Sequence, residues 1–167
     1  MSAQTMAGGS GGFRAQWQPL GRTVEFKSYG YPMGDDWAGS FPMQPGSVFR
    51  DGTDRCTLLH FAPGRWLVPE PTDAVVAMLD LAVAAGIGDQ IGVEGKWRFM
   101  AITGSGAARV LAATMACSTL LEGRECAATR LFDCPAIIAR AAQGIDVWAQ
   151  SSYAEDMLES LLRVSTQ

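Results

Sequence analysis

The stretch CAATRLFDCPAIIARAAQGIDVWAQ, residues 126–150, decides the fold of this chain. It contains three runs that are typical of β-strands, and these runs are separated by Asp133-Cys134 and by Gln143-Gly144, which are turn signals. Strands joined by such short turns pair with their neighbours in antiparallel fashion. The stretch therefore predicts an antiparallel sheet near the end of the sequence.

Regular patterns extend back to about residue 55. Strand-like runs cover residues 56–61, 65–68 and 97–102. Helical patterns follow Thr72, which can cap a helix, run over residues 107–117, and follow a capping box made by Ser152 and Glu155. The order ββ-α-β-α-βββ-α favours an α+β domain over residues 51–167, with an antiparallel sheet that carries helices on one face.

The first 50 residues have a different composition. They hold nine of the nineteen glycines and four of the eight prolines, which interrupt regular patterns, so we expect an irregular N-terminal arm over residues 1–50. The arm nevertheless contains eight of the fifteen aromatic residues. These rings either pack back on the chain's own domain or form an interface with a partner, where aromatic residues are enriched. The candidate interface residues are Phe13, Trp17, Phe26, Tyr29, Tyr31, Trp37, Phe41 and Phe49.

Charge and hydropathy exclude several classes of partner. The net charge is −4 and the basic residues are scattered, so we expect no nucleic-acid binding. No apolar run approaches the roughly 20 residues that span a bilayer, and the N-terminus lacks the features of a signal peptide. We therefore expect a protein of the cytoplasm. The four cysteines lack zinc-site spacing, so we expect reduced, buried thiols.

The turn Gly104-Ser105-Gly106 raises the question of a phosphate site. A dinucleotide fingerprint requires a small residue where this chain has Arg109, and a P-loop requires a Gly-Lys pair that is missing here. The exposed N–H groups of a helix N-terminus can attract an anion, but Thr103 or Ser105 can satisfy the same donors. The structural interpretation of this turn is favoured.

A catalytic centre is not visible in the sequence. The single histidine, His60, lies in a strand-like run and has no recognisable partner residue. The acidic pairs Asp35-Asp36 and Glu155-Asp156 fit solvated structural roles. We therefore expect no catalytic, cofactor-binding or metal-binding residue in this chain.

Three segments together resemble a known family. Residues 61–71, 96–121 and 126–161 resemble, in order, the gamma subunit of heterotetrameric sarcosine oxidase. The resemblance rests on Trp66-Leu67, on the turn from Gly104 to Arg109, on Cys117 at a helix end, and on the closing amphipathic segment. The fold of that subunit is similar to part of the folate-binding aminomethyltransferase family.

The resemblance implies a non-catalytic structural subunit of an enzyme that oxidatively demethylates a secondary amine. It implies that larger flavoprotein subunits carry FAD, FMN, NAD and tetrahydrofolate, and that a small subunit binds zinc. An alternative is a stand-alone ligand-binding or one-carbon transferase module with a folate-type pocket, for which Asp133, Glu122 and Glu125 are the scattered candidates.

Overall fold

A computed structural model gives the architecture of the chain. It describes residues 5–7, 12, 14–31, 41, 44–50, 58–107, 112 and 121–165. The strands in chain order are β1 (Thr5–Ala7), β2 (Arg14–Gln18), β3 (Thr23–Ser28), β4 (Val48–Phe49), β5 (Leu58–Ala62), β6 (Arg65–Pro69), β7 (Gly88–Gly92), β8 (Trp97–Thr103), β9 (Cys126–Leu131), β10 (Cys134–Ala141) and β11 (Gly144–Gln150). Helix α1 covers Asp73–Ala84 and helix α2 covers Ala154–Ser165.

The strands form two antiparallel sheets within the described ranges. The first sheet has the order β1-β2-β8-β11-β10-β9, and the second has the order β4-β5-β6-β3-β7. The order β2-β8-β11-β10 in the first sheet matches β7-β3-β6-β5 in the second. In each, a hairpin lies beside an earlier strand and is followed by a helix. Strands β8 to β11 with α2 therefore repeat the connectivity of β3 to β6 with α1, whereas β2 precedes its unit in the chain and β7 follows its own.

The two sheets pack face to face and each carries one described helix on its outer side. One apolar cluster joins the first sheet to α2, and a second joins the other sheet to α1. A third cluster contains residues of both sheets and lies between them. Its fully or largely buried members are Leu59, Leu67, Trp97, Cys126, Ile137, Ala139 and Trp148. The result is a four-layer arrangement with helix, sheet, sheet and helix.

Strand β10 shows how the sequence produces this layering. Because side chains alternate between the two faces of a strand, Ile138 packs toward α2 while Ile137 packs toward the second sheet. Both side chains are almost completely buried. A strand that is buried on both faces needs a nearly continuous apolar run, and PAIIARA is such a run.

The predicted α+β class with antiparallel strands is confirmed, with one correction. The strands form two sheets instead of one, because β10 and β11 are buried on both faces and need a second sheet as cover. Thr72 caps α1 by accepting a hydrogen bond from the backbone N–H of Val75, as predicted. The helix predicted over residues 107–117 lies mostly outside the described residues.

The expectation of an irregular N-terminal arm does not hold for residues 14–28. Strand β2 pairs with β8 in the first sheet, and β3 pairs with both β6 and β7 in the second. Both strands are short, and Pro19 and Gly21 lie between them. Pairing with distant strands overrides the weak local signal. The predicted domain boundary near residue 50 stays a prediction.

A buried polar connection joins the two sheets at Glu25. Its carboxylate, on β3, accepts a hydrogen bond of 2.9 Å from the indole N–H of Trp97 on β8, and another of 2.5 Å from Lys96. Arg65 lies 3.4 Å away on β6. Partial burial raises the pKa of Glu25, but the hydrogen bonds from Lys96 and Trp97 and the two positive charges outweigh it and lower the pKa overall.

The variant Glu25→Gln tests this connection. Because the pKa of Glu25 is lowered by folding, its carboxylate stabilises the native state at neutral pH, and this contribution is lost as the pH falls through the folded-state pKa. We expect Glu25→Gln to lower the free energy of unfolding by about 1 kcal/mol at pH 7, since Lys96 and Arg65 are half exposed. The difference from wild type should shrink as the pH falls below the ordinary glutamate pKa of about 4.3 and disappear below the folded-state pKa of Glu25, which is lower.

Urea unfolding at a series of pH values measures this difference. Glu94→Gln serves as the control, because Glu94 is exposed. A penalty for Glu25→Gln that is the same at every pH would contradict the assignment.

A matched pair of truncations tests the apolar layer between the sheets. Leu67 is fully buried in that layer, whereas Ile91 on the edge strand β7 is 63% exposed. We expect Leu67→Ala to cost about 2–5 kcal/mol of stability through lost burial and a cavity. Ile91→Ala should change it by less than about 0.5 kcal/mol. Thermal or denaturant unfolding gives both values, and equal costs would show that the layer is misassigned.

Candidate interaction surface

The aromatic residues of the first 50 positions separate into buried and exposed groups. Three of them, Trp17, Phe26 and Phe41, are buried in the chain's own core. These rings therefore pack on the chain's own domain and do not form an interface with a partner. The guanidinium group of Arg98 lies 4.8 Å from the ring centroid of Trp17 and also pairs with Glu155 on α2. Phe13 and Trp37 lie outside the residues that the structure describes.

The buried rings of the second sheet form a chain that reaches the surface. The ring of Phe26 lies 5.2 Å from that of Phe41 and 5.7 Å from that of Trp66, between ring centroids. His60 stacks on Trp66 with a centroid distance of 4.3 Å, and the edge of Tyr31 meets His60 at 5.6 Å. The series ends at Tyr31, which is 41% exposed.

Three of the candidate aromatic residues remain exposed. Tyr29 is 65% exposed, and Tyr31 and Phe49 are each 41% exposed. We call these three residues the aromatic surface. Phe49 lies opposite Leu58 in the β4–β5 pair, on the side of the sheet that faces α1, and Tyr31 contacts His60 on the same side. The structure thus places Phe49 and Tyr31 on the face toward α1, and Tyr29 just beyond the end of β3 on the opposite face, beside Asp89.

Backbone contacts hold Tyr29 at this end of the sheet. The N–H of Ser28 donates to the carbonyl of Gly64 at 3.0 Å, and the N–H of Tyr29 donates to that of Ile87 at 2.9 Å. Gly64 has a φ of +64°, and a Cβ there would lie 2.7 Å from the Ser28 hydroxyl. The β5–β6 turn therefore requires glycine at this position. A hydrogen bond to Asp89 raises the pKa of Tyr29.

A polar clasp holds the segment that carries Phe49. The Gly46 carbonyl accepts hydrogen bonds from the N–H groups of Glu125 and Cys126, at 2.7 and 2.9 Å. The Glu125 carboxylate in turn accepts from the Val48 N–H at 3.2 Å and pairs with Arg50 at 2.8 Å. The clasp connects the β4–β5 edge of one sheet to the start of β9 in the other, so it fixes Phe49 relative to both sheets.

The glycine turn after β8 has the geometry of a tight structural turn. Gly104 has a φ of +98°, and its carbonyl accepts a hydrogen bond from the N–H of Ala107 at 3.0 Å. Gly12 packs against it, since a Cβ on Gly12 would lie 3.2 Å from the Ser105 hydroxyl. Both contacts support the structural interpretation of this turn.

The titratable residues singled out in the sequence are dispersed through the fold. His60 is completely buried against Trp66, and Glu155 pairs with Arg98 at the start of α2. The thiol of Cys126 donates to the Ser47 carbonyl. Burial raises the pKa of the Cys134 thiol. Asp35-Asp36, Cys56 and Cys117 lie outside the described residues.

The described part of the chain contains no group of three metal-ligating side chains. Among the same residues, no helix is both long enough and apolar enough to cross a bilayer.

Three further exposed apolar side chains were not predicted from the sequence. Leu81 is 66% exposed on α1, Ile91 is 63% exposed on β7 and Tyr153 is 42% exposed before α2. The run GDQIG around Ile91 has a glycine at each end and few strand-forming residues, so it gives no strand signal. Its exposure follows from its position at a sheet edge, which only the three-dimensional arrangement reveals.

Comparison with known proteins identifies a shared fold. No family model matches the sequence, and no curated protein matches it. The structure is similar to a chain of the solved structure "Heterotetrameric Sarcosine Oxidase from Corynebacterium sp. U-96 in complex with pyrrole 2-carboxylate", with a TM-score of 0.76 and 17% sequence identity. The similarity covers 95% of this chain and 86% of that chain. The resemblance to heterotetrameric sarcosine oxidase that the sequence predicts is therefore confirmed at the level of the fold.

Proposed function

We propose that this chain is a non-catalytic structural subunit, of the gamma type, in a heteromeric sarcosine oxidase-like flavoenzyme of the cytoplasm. The enzyme oxidatively demethylates a secondary amine, and this chain stabilises its catalytic subunits. The partners are larger flavoprotein subunits, which carry FAD, FMN, NAD and tetrahydrofolate, and a small zinc-binding subunit.

One observation carries the proposal. The shared fold covers nearly the whole of this chain and most of one chain of a heterotetrameric sarcosine oxidase. Because a fold by itself does not transfer an active site, the role of the chain is argued from its own side chains.

The charged side chains support a structural role. Glu25 binds Lys96 and Trp97 between the sheets, and Glu125 holds the β4 segment through Arg50. Arg140 donates hydrogen bonds to backbone carbonyls near β9, at 3.2 and 2.6 Å. These groups hold the fold together, and such engaged groups are poor candidates for proton transfer to a substrate.

The aromatic surface supports an interaction role. Tyr29 is held by a backbone hydrogen bond, the ring of Tyr31 meets the ring of His60, and the segment of Phe49 is held by the clasp, so the chain itself holds these residues in place. A buried aromatic side chain removes about 150–250 Å² from water, which makes such residues effective anchors. We infer that these rings pack against a flavoprotein subunit and hold its domains in one relative geometry.

Coexpression tests the proposed function. The chain is produced alone and together with the flavoprotein subunits encoded by neighbouring reading frames. We expect the subunits to elute as one complex in size-exclusion chromatography, and we expect the amine-oxidising activity of the flavoprotein subunits to be more heat-stable with the chain than without it. Turnover of sarcosine by the isolated chain, or its tight binding of tetrahydrofolate in calorimetry, would contradict the proposal in favour of the stand-alone module.

A surface variant tests the aromatic surface. The triple variant Tyr29→Ser, Tyr31→Ser, Phe49→Ser should weaken assembly at least about tenfold, since interface anchors contribute about 1–2 kcal/mol or more. The control is the double variant Leu81→Ser, Tyr153→Ser, which removes exposed apolar side chains elsewhere on the surface. Sedimentation velocity measures assembly, and circular dichroism confirms folding. Equal loss in both variants would show that the aromatic surface has no special role.

A further inference from the structure

The outer edge of β7 exposes backbone groups that can pair with another strand. β7 is the last strand of its sheet, and among the described residues it pairs only with β3. Tyr29 donates to Ile87, and Val93 donates to Thr23, at 2.9 and 2.8 Å. In an antiparallel pair, hydrogen-bonded positions alternate with positions whose backbone groups point away.

This alternation identifies the outward-pointing groups. The two bonds fix the odd-numbered residues of β7 as the ones bonded to β3, so the N–H and C=O groups of Gly88, Gln90 and Gly92 point outward. Gly88 is buried, whereas Gly92 is exposed and Gln90 is partly exposed. The accessible edge is therefore the segment 90–92, with four backbone groups available for hydrogen bonds.

The side chains beside this edge define what can pair with it. Asp89 and Ile91 lie on the face of the sheet that carries Glu25, opposite Lys27 and Glu25 respectively. Both are exposed, and Ile91 presents an apolar side chain to solvent. Tyr29 is hydrogen-bonded to Asp89 and adds an exposed ring to the same face. The edge therefore presents one carboxylate and one apolar side chain two residues apart.

We propose that this edge is a docking site for an extended segment of the larger partner subunit, which adds to the sheet as an antiparallel strand next to β7. The segment carries an apolar residue opposite Ile91 and, two positions later, a lysine or arginine opposite Asp89. Backbone hydrogen bonds to Gln90 and Gly92 provide affinity, and the two side-chain positions provide specificity. This inference rests on the proposed function, because it takes the partner from it.

Charge and area favour a partner subunit over a second copy of the chain. A stable interface between proteins buries at least about 1,000 Å². Two copies paired through three residues each would bury far less, whereas a large subunit can contact the aromatic surface as well. Lys27 lies opposite Asp89 on the β3 side. A basic residue on an added strand would meet the exposed Asp89 carboxylate from the free side, and β7 contains no basic residue that a second copy could supply there.

The first test measures assembly of the full complex. Gln90→Pro removes the outward N–H of residue 90 but leaves the bonds between β7 and β3 intact, since proline is tolerated on a free strand edge. Gln90→Ala is the matched control, because it keeps that N–H and loses the same side-chain contact with Asp80. We expect Gln90→Pro to weaken assembly at least tenfold and Gln90→Ala less than twofold. Equal assembly of the two variants overturns the proposal.

The second test uses the isolated full chain and a synthetic peptide. The peptide is a capped nonamer with valine, threonine and lysine at its centre, and a second peptide has glutamate in place of the lysine. Titration followed by NMR should shift the backbone amides of residues 88–92 with the lysine peptide, and the glutamate peptide should bind at least tenfold more weakly. Asp89→Lys should reverse this preference. No binding, or binding without a charge preference, overturns the proposal.

The two tests separate this proposal from the proposed function. If the wild-type chain forms no complex with flavoprotein subunits while the lysine peptide still binds at β7, the proposed function fails and the strand-docking edge stands. If the complex forms and Gln90→Pro leaves it unchanged, the proposed function stands and the docking edge fails. A wild-type homodimer that is lost in Gln90→Pro would assign the edge to a second copy and overturn the proposal.

Discussion

The apolar layer between the two sheets is the constraint on which the rest of the structure depends. Each sheet has one face covered by a helix, so its other face needs a second sheet to cover it. Leu59 and Leu67 from one sheet meet Ile137 and Trp148 from the other. Because side chains alternate along a strand, fixing these inward residues also fixes which residues meet the helices. The polar contact from Glu25 to Trp97 at this layer is satisfied by hydrogen bonds and therefore does not weaken it.

The same layer determines where the surface becomes available to other molecules. It covers Leu67 on β6, but Ile91 on the neighbouring side of β3 is largely exposed. The change from buried to exposed side chains occurs across Glu25. Its carboxylate accepts hydrogen bonds from Lys96 and Trp97 at the margin of the layer. Beyond this margin the sheet presents charged and apolar side chains, and among the described residues no strand pairs with the outer side of β7. Free strand edges of this kind can pair with another chain.

The fold was predictable where local and long-range preferences agree. The run 126–150 contains apolar strands and tight turns, and its pairing as β9, β10 and β11 follows directly. Strands β2 and β3 were not predictable in this way, because glycine and proline surround them and their partners lie far away in sequence. The aromatic content of residues 1–50 was informative, but it could not distinguish Phe26, which is buried, from Tyr29, which is exposed. That distinction depends on which side of β3 each residue occupies.

The arrangement of the charged residues bears directly on how such a chain can contribute to catalysis. A catalytic acid or base has to change its protonation state during the reaction, and this is costly for a group that holds two sheets together. Protonating Glu25 would weaken the contact between β3 and β8. In the structure, Glu25 and Glu125 act by holding strands of the two sheets in place.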